Sequence, residues 1–94
     1  MSEQTSAVHA RVTGQVQGVS FRAWTQATAE GLGLGGWVRN TDDGAVEAVF
    51  RGPSDRVQQM TDLLYEGPAA AAVTQVELDP VEAVDEAPGF EIRL

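Results

Sequence analysis

The Asp43-Gly44 step, set between two runs of alternating apolar and polar residues, constrains the fold of this chain more than any other feature. GWVRN (36–40) precedes it and AVEAVFR (45–51) follows it. Both runs suit extended strands, and Asp-Gly between such runs is a strong hairpin signal. In the second run Val46, Ala48 and Phe50 fall on one face and Glu47, Val49 and Arg51 on the other, the period-2 pattern of a half-buried strand. A helical pattern flanks the hairpin on each side. Residues 21–33 place Phe21, Thr25, Ala29 and Leu32 on one stripe, with Ser20 as the expected N-cap and Gly31 and Gly33 marking the end. Residues 54–65 turn Val57, Met60, Leu63 and Leu64 inward, with Ser54 as cap after Pro53 and Gly67-Pro68 as the stop.

The outer segments complete the order. Residues 7–13 alternate Val8, Ala10 and Val12 against His9, Arg11 and Thr13; residues 72–78 read as a fourth strand. The acidic, proline-containing stretch 79–89 reads as a loop or irregular edge, and FEIRL (90–94) as a short final strand. Each strand is apolar on one face only, so helices should cover one face of an antiparallel sheet. The expected fold class is α+β: a ferredoxin-like βαββαβ sandwich, an antiparallel sheet with two helices on one face. One domain is expected over residues 1–94, with residues 1–6 as a flexible N-terminus.

Charge and composition then exclude whole classes. The net charge is −8, all six basic residues are arginine, and there is no cysteine. Disulfides and thiolate chemistry are excluded. An acidic surface repels phosphate backbones, so nucleic acid is not an expected partner. No apolar run approaches a membrane span, and MSEQTSAVHA lacks the blocks of a signal peptide. These observations lead to the expectation of a cytoplasmic monomer with no membrane partner.

Against that background, GQVQGVSFR (14–22) is unusual: nine residues without a carboxylate at a strand-to-helix junction. Successive loop amides can form an anion-binding nest, a helix N-terminus adds free N–H groups, and Arg22 can add a planar fork. An arginine in a first helical turn opposes the helix dipole, so a bound anion would account for it. The alternative is that Gly14 and Gly18 serve a tight turn and Arg22 is an ordinary surface residue. The motif is neither a Walker loop nor G-x-G-x-x-G. In the expected topology the first two strands run parallel with the third between them, so Asn40 ends about 10 Å from the loop, two strand spacings away.

The stretch GQVQGVSFRAWTQATAEGLGLGGWVRNTDDGAVE, from Gly14 to Glu47, resembles the acylphosphatase family throughout, and GPSDRVQQMTDLL and FEIRL are also similar to it. The resemblance implies a ferredoxin-like fold and an acylphosphatase: hydrolysis of the carboxyl–phosphate bond of acyl phosphates to carboxylate and inorganic phosphate, with no metal and no cofactor. It further implies that the backbone of Gln15, Val16, Gln17, Gly18, Val19 and Ser20 cradles the phosphoryl oxygens, that Arg22 clamps them, and that Asn40 positions the attacking water. The family usually has Arg or Lys where this chain has Gln15, so weaker capture of the anionic substrate is expected.

The remaining candidates read as structural. His9 is expected on the polar sheet face, Asp42 and Asp43 in turn chemistry, Trp24 and Trp37 in core or rim packing, and Arg39 as an ion partner facing away from Asn40. The acidic residues show no calcium-loop spacing. The competing reading is a non-catalytic ferredoxin-like module that binds an anion or a partner protein. Domains of this family also occur within larger carbamoyl-handling proteins, and 94 residues from an initiating Met are expected to be the free enzyme. An RNA-binding sheet would need exposed aromatics and basic flanks, which the charge disfavours.

Overall fold

The computed structural model describes residues 4–82 and 89–94. The elements run β1 (Thr5–Gln15), α1 (Phe21–Gly31), β2 (Gly35–Asn40), β3 (Val46–Pro53), α2 (Ser54–Leu64), β4 (Ala72–Pro80) and β5 (Phe90–Arg93). The strands form one sheet in the order β4-β1-β3-β2-β5. The β1–β3, β1–β4 and β2–β3 pairs are antiparallel, as expected of the ferredoxin-like core. β5 joins the β2 edge in parallel, so the whole sheet is mixed.

Alternation decides which residues go inward. Ala10 and Val12 of β1, Val38 of β2, and Val46, Ala48 and Phe50 of β3 are buried under the helices. They meet Phe21 and Ala29 from α1 and Val57, Met60 and Leu64 from α2. Phe50 and Phe90 stack with ring centroids 5.5 Å apart, which anchors the short β5 to the core. Each fully buried side chain of this size contributes about 1.5–3 kcal/mol.

Several local expectations are corrected. Thr5 and Ser6 pair with Pro53 and Gly52 in β1 and so are not part of a flexible N-terminus; residues 1–3 lie outside the described residues. Ser20 occupies the N-cap position but is left-handed (φ 62°, ψ 25°), and its side chain makes no capping bond. α2 begins at Ser54 itself, so Pro53 holds its N-cap position. On α2 it is Thr61, rather than Leu63, that completes the buried stripe. β4 continues to Pro80, two residues into the stretch read as a loop; residues 83–88 lie outside the described set.

The sheet face away from the helices carries paired charge. Glu47 accepts from His9 Nε2 at 2.8 Å and from Arg39 Nε. Desolvation raises the Glu47 pKa, but those two hydrogen bonds outweigh it and hold the carboxyl below its ordinary value. Trp37 lies on this open face rather than in the core. The Arg93 guanidinium stands 4.7 Å from its ring centroid, and His9 meets it edge-on at 6.4 Å. Trp24 packs partly buried against Phe21.

Candidate active site

The junction between β1 and α1 starts with a break in pairing. The β1–β4 register shifts between Thr13 and Gly14. Gly14 has φ 125°, and a Cβ there would stand 2.2 Å from the Ala72 carbonyl oxygen, so this irregularity, past which β1 stays paired with β4 to Gln15, requires glycine. Gly18 differs: its φ is 76°, yet a Cβ would meet nothing within 4 Å. It is needed for backbone conformation, and the space above it is open.

Ser20 is the one non-glycine residue with positive φ among the described residues. Negative φ at Gln17 and Val19 therefore alternates with positive φ at Gly18 and Ser20. Such alternation turns successive amides into a concave anion-binding arrangement. Among the described residues, no N–H from Val16 to Ser20 donates to a backbone carbonyl. A run of unpartnered donors at a helix N-terminus is a ready site for an anion. The first helical hydrogen bond follows directly, from Trp24 N to Ser20 O at 3.0 Å. Val16 and Phe21, each 1% exposed, hold the two ends of the loop in the core.

This loop borders a cavity of about 240 Å³. Gly18, Ser20, Arg22 and Asn40 line it, and Val16, Phe21, Ala23, Ile92 and Leu94 give it an apolar wall. Among the described residues, Arg22 is the only charged side chain in that lining. Its Nη1 donates weakly, at 3.4 Å, to the Arg93 carbonyl oxygen, which leaves most of its five donors free. Asn40 arrives at the same cavity because β2 runs parallel to β1 and ends there. No hydrogen bond holds the Asn40 side chain among the described residues.

Of the residues singled out from sequence, Val16, Gly18, Ser20, Arg22 and Asn40 meet at this cavity. Gln15 is exposed at the end of β1, paired with Ala72, and does not line it. Gln17 and Val19 are half-buried, and the Gln17 side chain crosses to the β2–β3 turn. Ile92 and Leu94 were not anticipated. They reach the cavity because β5 lies parallel to β2, with Arg93 opposite Arg39; nothing in FEIRL signals which strand it will join.

Asp43 accepts from the Thr41 hydroxyl and from Arg11 Nη2. These bonds, the Thr41 bond foremost, lower its pKa from 3.8 to about 2. Among the described residues, no group of three or more His, Asp or Glu side chains is placed to hold a metal ion.

Comparison with known proteins bears on the same residues. The family model described as Acylphosphatase matches residues 8–92. An acylphosphatase of Rhodospirillum rubrum is 51% identical over 80 residues, covering 85% of this chain and 87% of its own. The structure of an acylphosphatase from Coxiella burnetii superposes with a TM-score of 0.90 at 39% identity, covering 95% of this chain and 93% of its own. That of the Bacillus subtilis acylphosphatase superposes with a TM-score of 0.91 at 31% identity, covering 97% of this chain and all of its own.

Proposed function

This chain belongs to the acylphosphatase family, hydrolases that act on acid anhydrides, and from that premise we propose how its own residues carry out the reaction. The phosphoryl oxygens of an acyl phosphate lie on the amides of residues 15–20 and on the Arg22 guanidinium. The Asn40 carboxamide holds a water in line with the bond to be broken. Water oxygen attacks phosphorus, the phosphorus–oxygen bond to the acyl group breaks, and a carboxylate leaves with the bonding pair. The water's proton passes to the phosphate, giving inorganic phosphate.

The residue types suit the chemistry. A carboxylate is a good leaving group and needs little general-acid help. Phosphoryl transfer then depends on positioning and charge stabilisation. Amides and one arginine supply the second; a non-titrating amide side chain supplies the first. Neither a metal nor a cofactor enters the scheme. His9 is bonded to Glu47 on the open sheet face and lies outside the cavity lining. The rate should therefore show no ionisation traceable to a protein base near neutrality, and His9→Gln should leave the pH profile unchanged.

The observation that carries this reading is the convergence of Arg22, Asn40 and the unpartnered loop on one cavity. The test is hydrolysis of benzoyl phosphate, followed by its ultraviolet absorbance, with and without EDTA. Wild type should be active and indifferent to EDTA, while Arg22→Ala and Asn40→Ala should lose most of their activity, leaving a measurable residual rate, with the fold retained. Full activity in either variant would remove that residue from the mechanism. Phosphate binding without turnover in wild type would return the chain to a binding module. Gln15→Arg should lower KM by restoring local positive charge; an unchanged KM would make that position irrelevant.

We propose further that the whole chain acts as one domain and as a cytoplasmic monomer. A net charge of −8 opposes self-association, and sedimentation should return the mass of one chain.

A further inference from the structure

The Gln17 side chain plays no part in the scheme above, yet its contacts are specific. It leaves the loop and reaches the β2–β3 turn, where Nε2 donates to the carbonyls of Thr41 and Ala45, each at 2.8 Å. These two residues close the turn, with Thr41 N donating to Ala45 O at 2.9 Å, and Thr41 directly follows Asn40. An amide NH2 offers two donors and no charge, and here both are used. The reversed amide would set an oxygen against two carbonyl oxygens, so the acceptors themselves determine the orientation.

The loop does not depend on this bridge for its shape. Val16 and Phe21 bury its ends, and Gly18 and Ser20 set its backbone. The turn closes on its own hydrogen bonds, and Asn40 pairs with Val46 in the hairpin; among the described residues it is the Gln17 bridge that ties this turn to the loop. Among the described residues, its other side-chain tie to the sheet is the Arg11–Asp43 ion pair on the far face, which is exposed and so contributes little. We propose that Gln17 is a positioning residue: its two-donor bridge sets Asn40 at the correct distance from the phosphate cradle. This rests on the assignment of Asn40 as the residue that holds the water.

A bridge acting through Asn40 changes turnover rather than capture. Gln17→Met keeps the chain length and removes both donors. Its kcat should fall on the order of tenfold to a hundredfold, the cost of a small misplacement at a reacting centre. KM and the affinity for inorganic phosphate should hold. Gln17→Glu places a carboxylate against two carbonyl oxygens at neutral pH and should be slower still. Acidification should restore part of its kcat, because a protonated carboxyl regains one donor; wild type should show no such recovery.

The decisive comparison is the double variant. In an Asn40→Ala background, Gln17→Met should cost no further kcat, since the bridge then has nothing to position. Multiplying effects, a change confined to KM, or no acid recovery in Gln17→Glu would each overturn the proposal. Should Gln17→Met fail to fold, the pH profile of Gln17→Glu decides alone. Full kcat in Asn40→Ala would refute the assignment of Asn40. Loss of kcat in Asn40→Ala with full kcat in Gln17→Met would refute only the bridge.

Discussion

The two strand-to-helix junctions of this fold occupy equivalent places in its βαβ halves and solve the same problem differently. β3 passes into α2 with no intervening residue. Pro53 has ordinary extended backbone, Asp55 sits favourably in the first turn, and Ser54 N donates to Gln4 O at 2.9 Å. β1 reaches α1 through residues 16–20. There a serine is left-handed, no acidic residue complements the helix start, and Arg22 opposes the dipole. Even the buried threonines differ: Thr61 of α2 donates to Gln58 O at 2.9 Å, whereas Thr25 Oγ1 of α1 has no partner among the described residues. One junction is relaxed and satisfied; the other is strained, with unpartnered donors. The strained one borders the cavity, in keeping with the tendency of functional sites to hold unrelaxed backbone.

This contrast is open to direct challenge. The largest effect is expected at Arg22. Arg22→Ala should lower kcat/KM about a hundredfold to a thousandfold, the loss typical of one transition-state donor. The same change should raise stability by a few tenths of a kcal/mol, at about 0.3, because it removes a cation from a helix N-terminus. At the relaxed junction Asp55→Ala should do the reverse: activity unchanged, stability lower by about 0.5 kcal/mol in urea denaturation. Arg22→Ala lowering both quantities would break the comparison.

The threonine pair sharpens it. Thr25→Val removes a buried hydroxyl that has no partner and should stabilise by about 1 kcal/mol, while Thr61→Val, which gives up a hydrogen bond, should bring no such gain. Ser20→Gly should stabilise by about 0.5–1 kcal/mol by relieving the left-handed strain, net of the extra freedom of glycine in the unfolded chain. Equal responses at the two threonines, or a loss at Ser20, would mean that the α1 junction stores no strain.

The smallest effect concerns the turn that follows Asn40. Asp43 titrates at about 2 in the folded protein against an ordinary 3.8. Its contribution to stability is therefore complete above the ordinary range and is lost as pH falls from 3.8 to about 2. The urea midpoints of wild type and Asp43→Asn should differ at neutral pH and converge over that window. Because the group is exposed, salt should shrink the difference.

What could be read from sequence follows the physics of periodicity. Alternation in β1 and β3 and the stripe on α1 named the inward residues, because burial on one face imposes the pattern. The loop and Arg22 stood out because a strand, a glycine-containing turn and a helix start have local signatures; Asn40 stood out only through the expected topology and the family resemblance, and the structure brings them to one cavity. Left-handed Ser20 was not, since a serine before a helix ordinarily signals a cap. Nor was the parallel placement of β5, where Phe90 stacks on Phe50 over Gly36 of the strand between them. The bridge made by Gln17 was equally hidden, because its two acceptors lie 24 and 28 residues away. Trp37 on the open face needed the sheet's layout, and with it the two arginines that flank its ring.

The central claim is that the β1–α1 junction, and not its β3–α2 counterpart, holds the phosphoryl group. The most direct measurement is a titration of the protein with inorganic phosphate, followed by the backbone amide resonances in two-dimensional NMR. Saturable shifts at residues 16–22, with residues 53–57 unmoved, are expected. Shifts at neither junction, or at both alike, would contradict it.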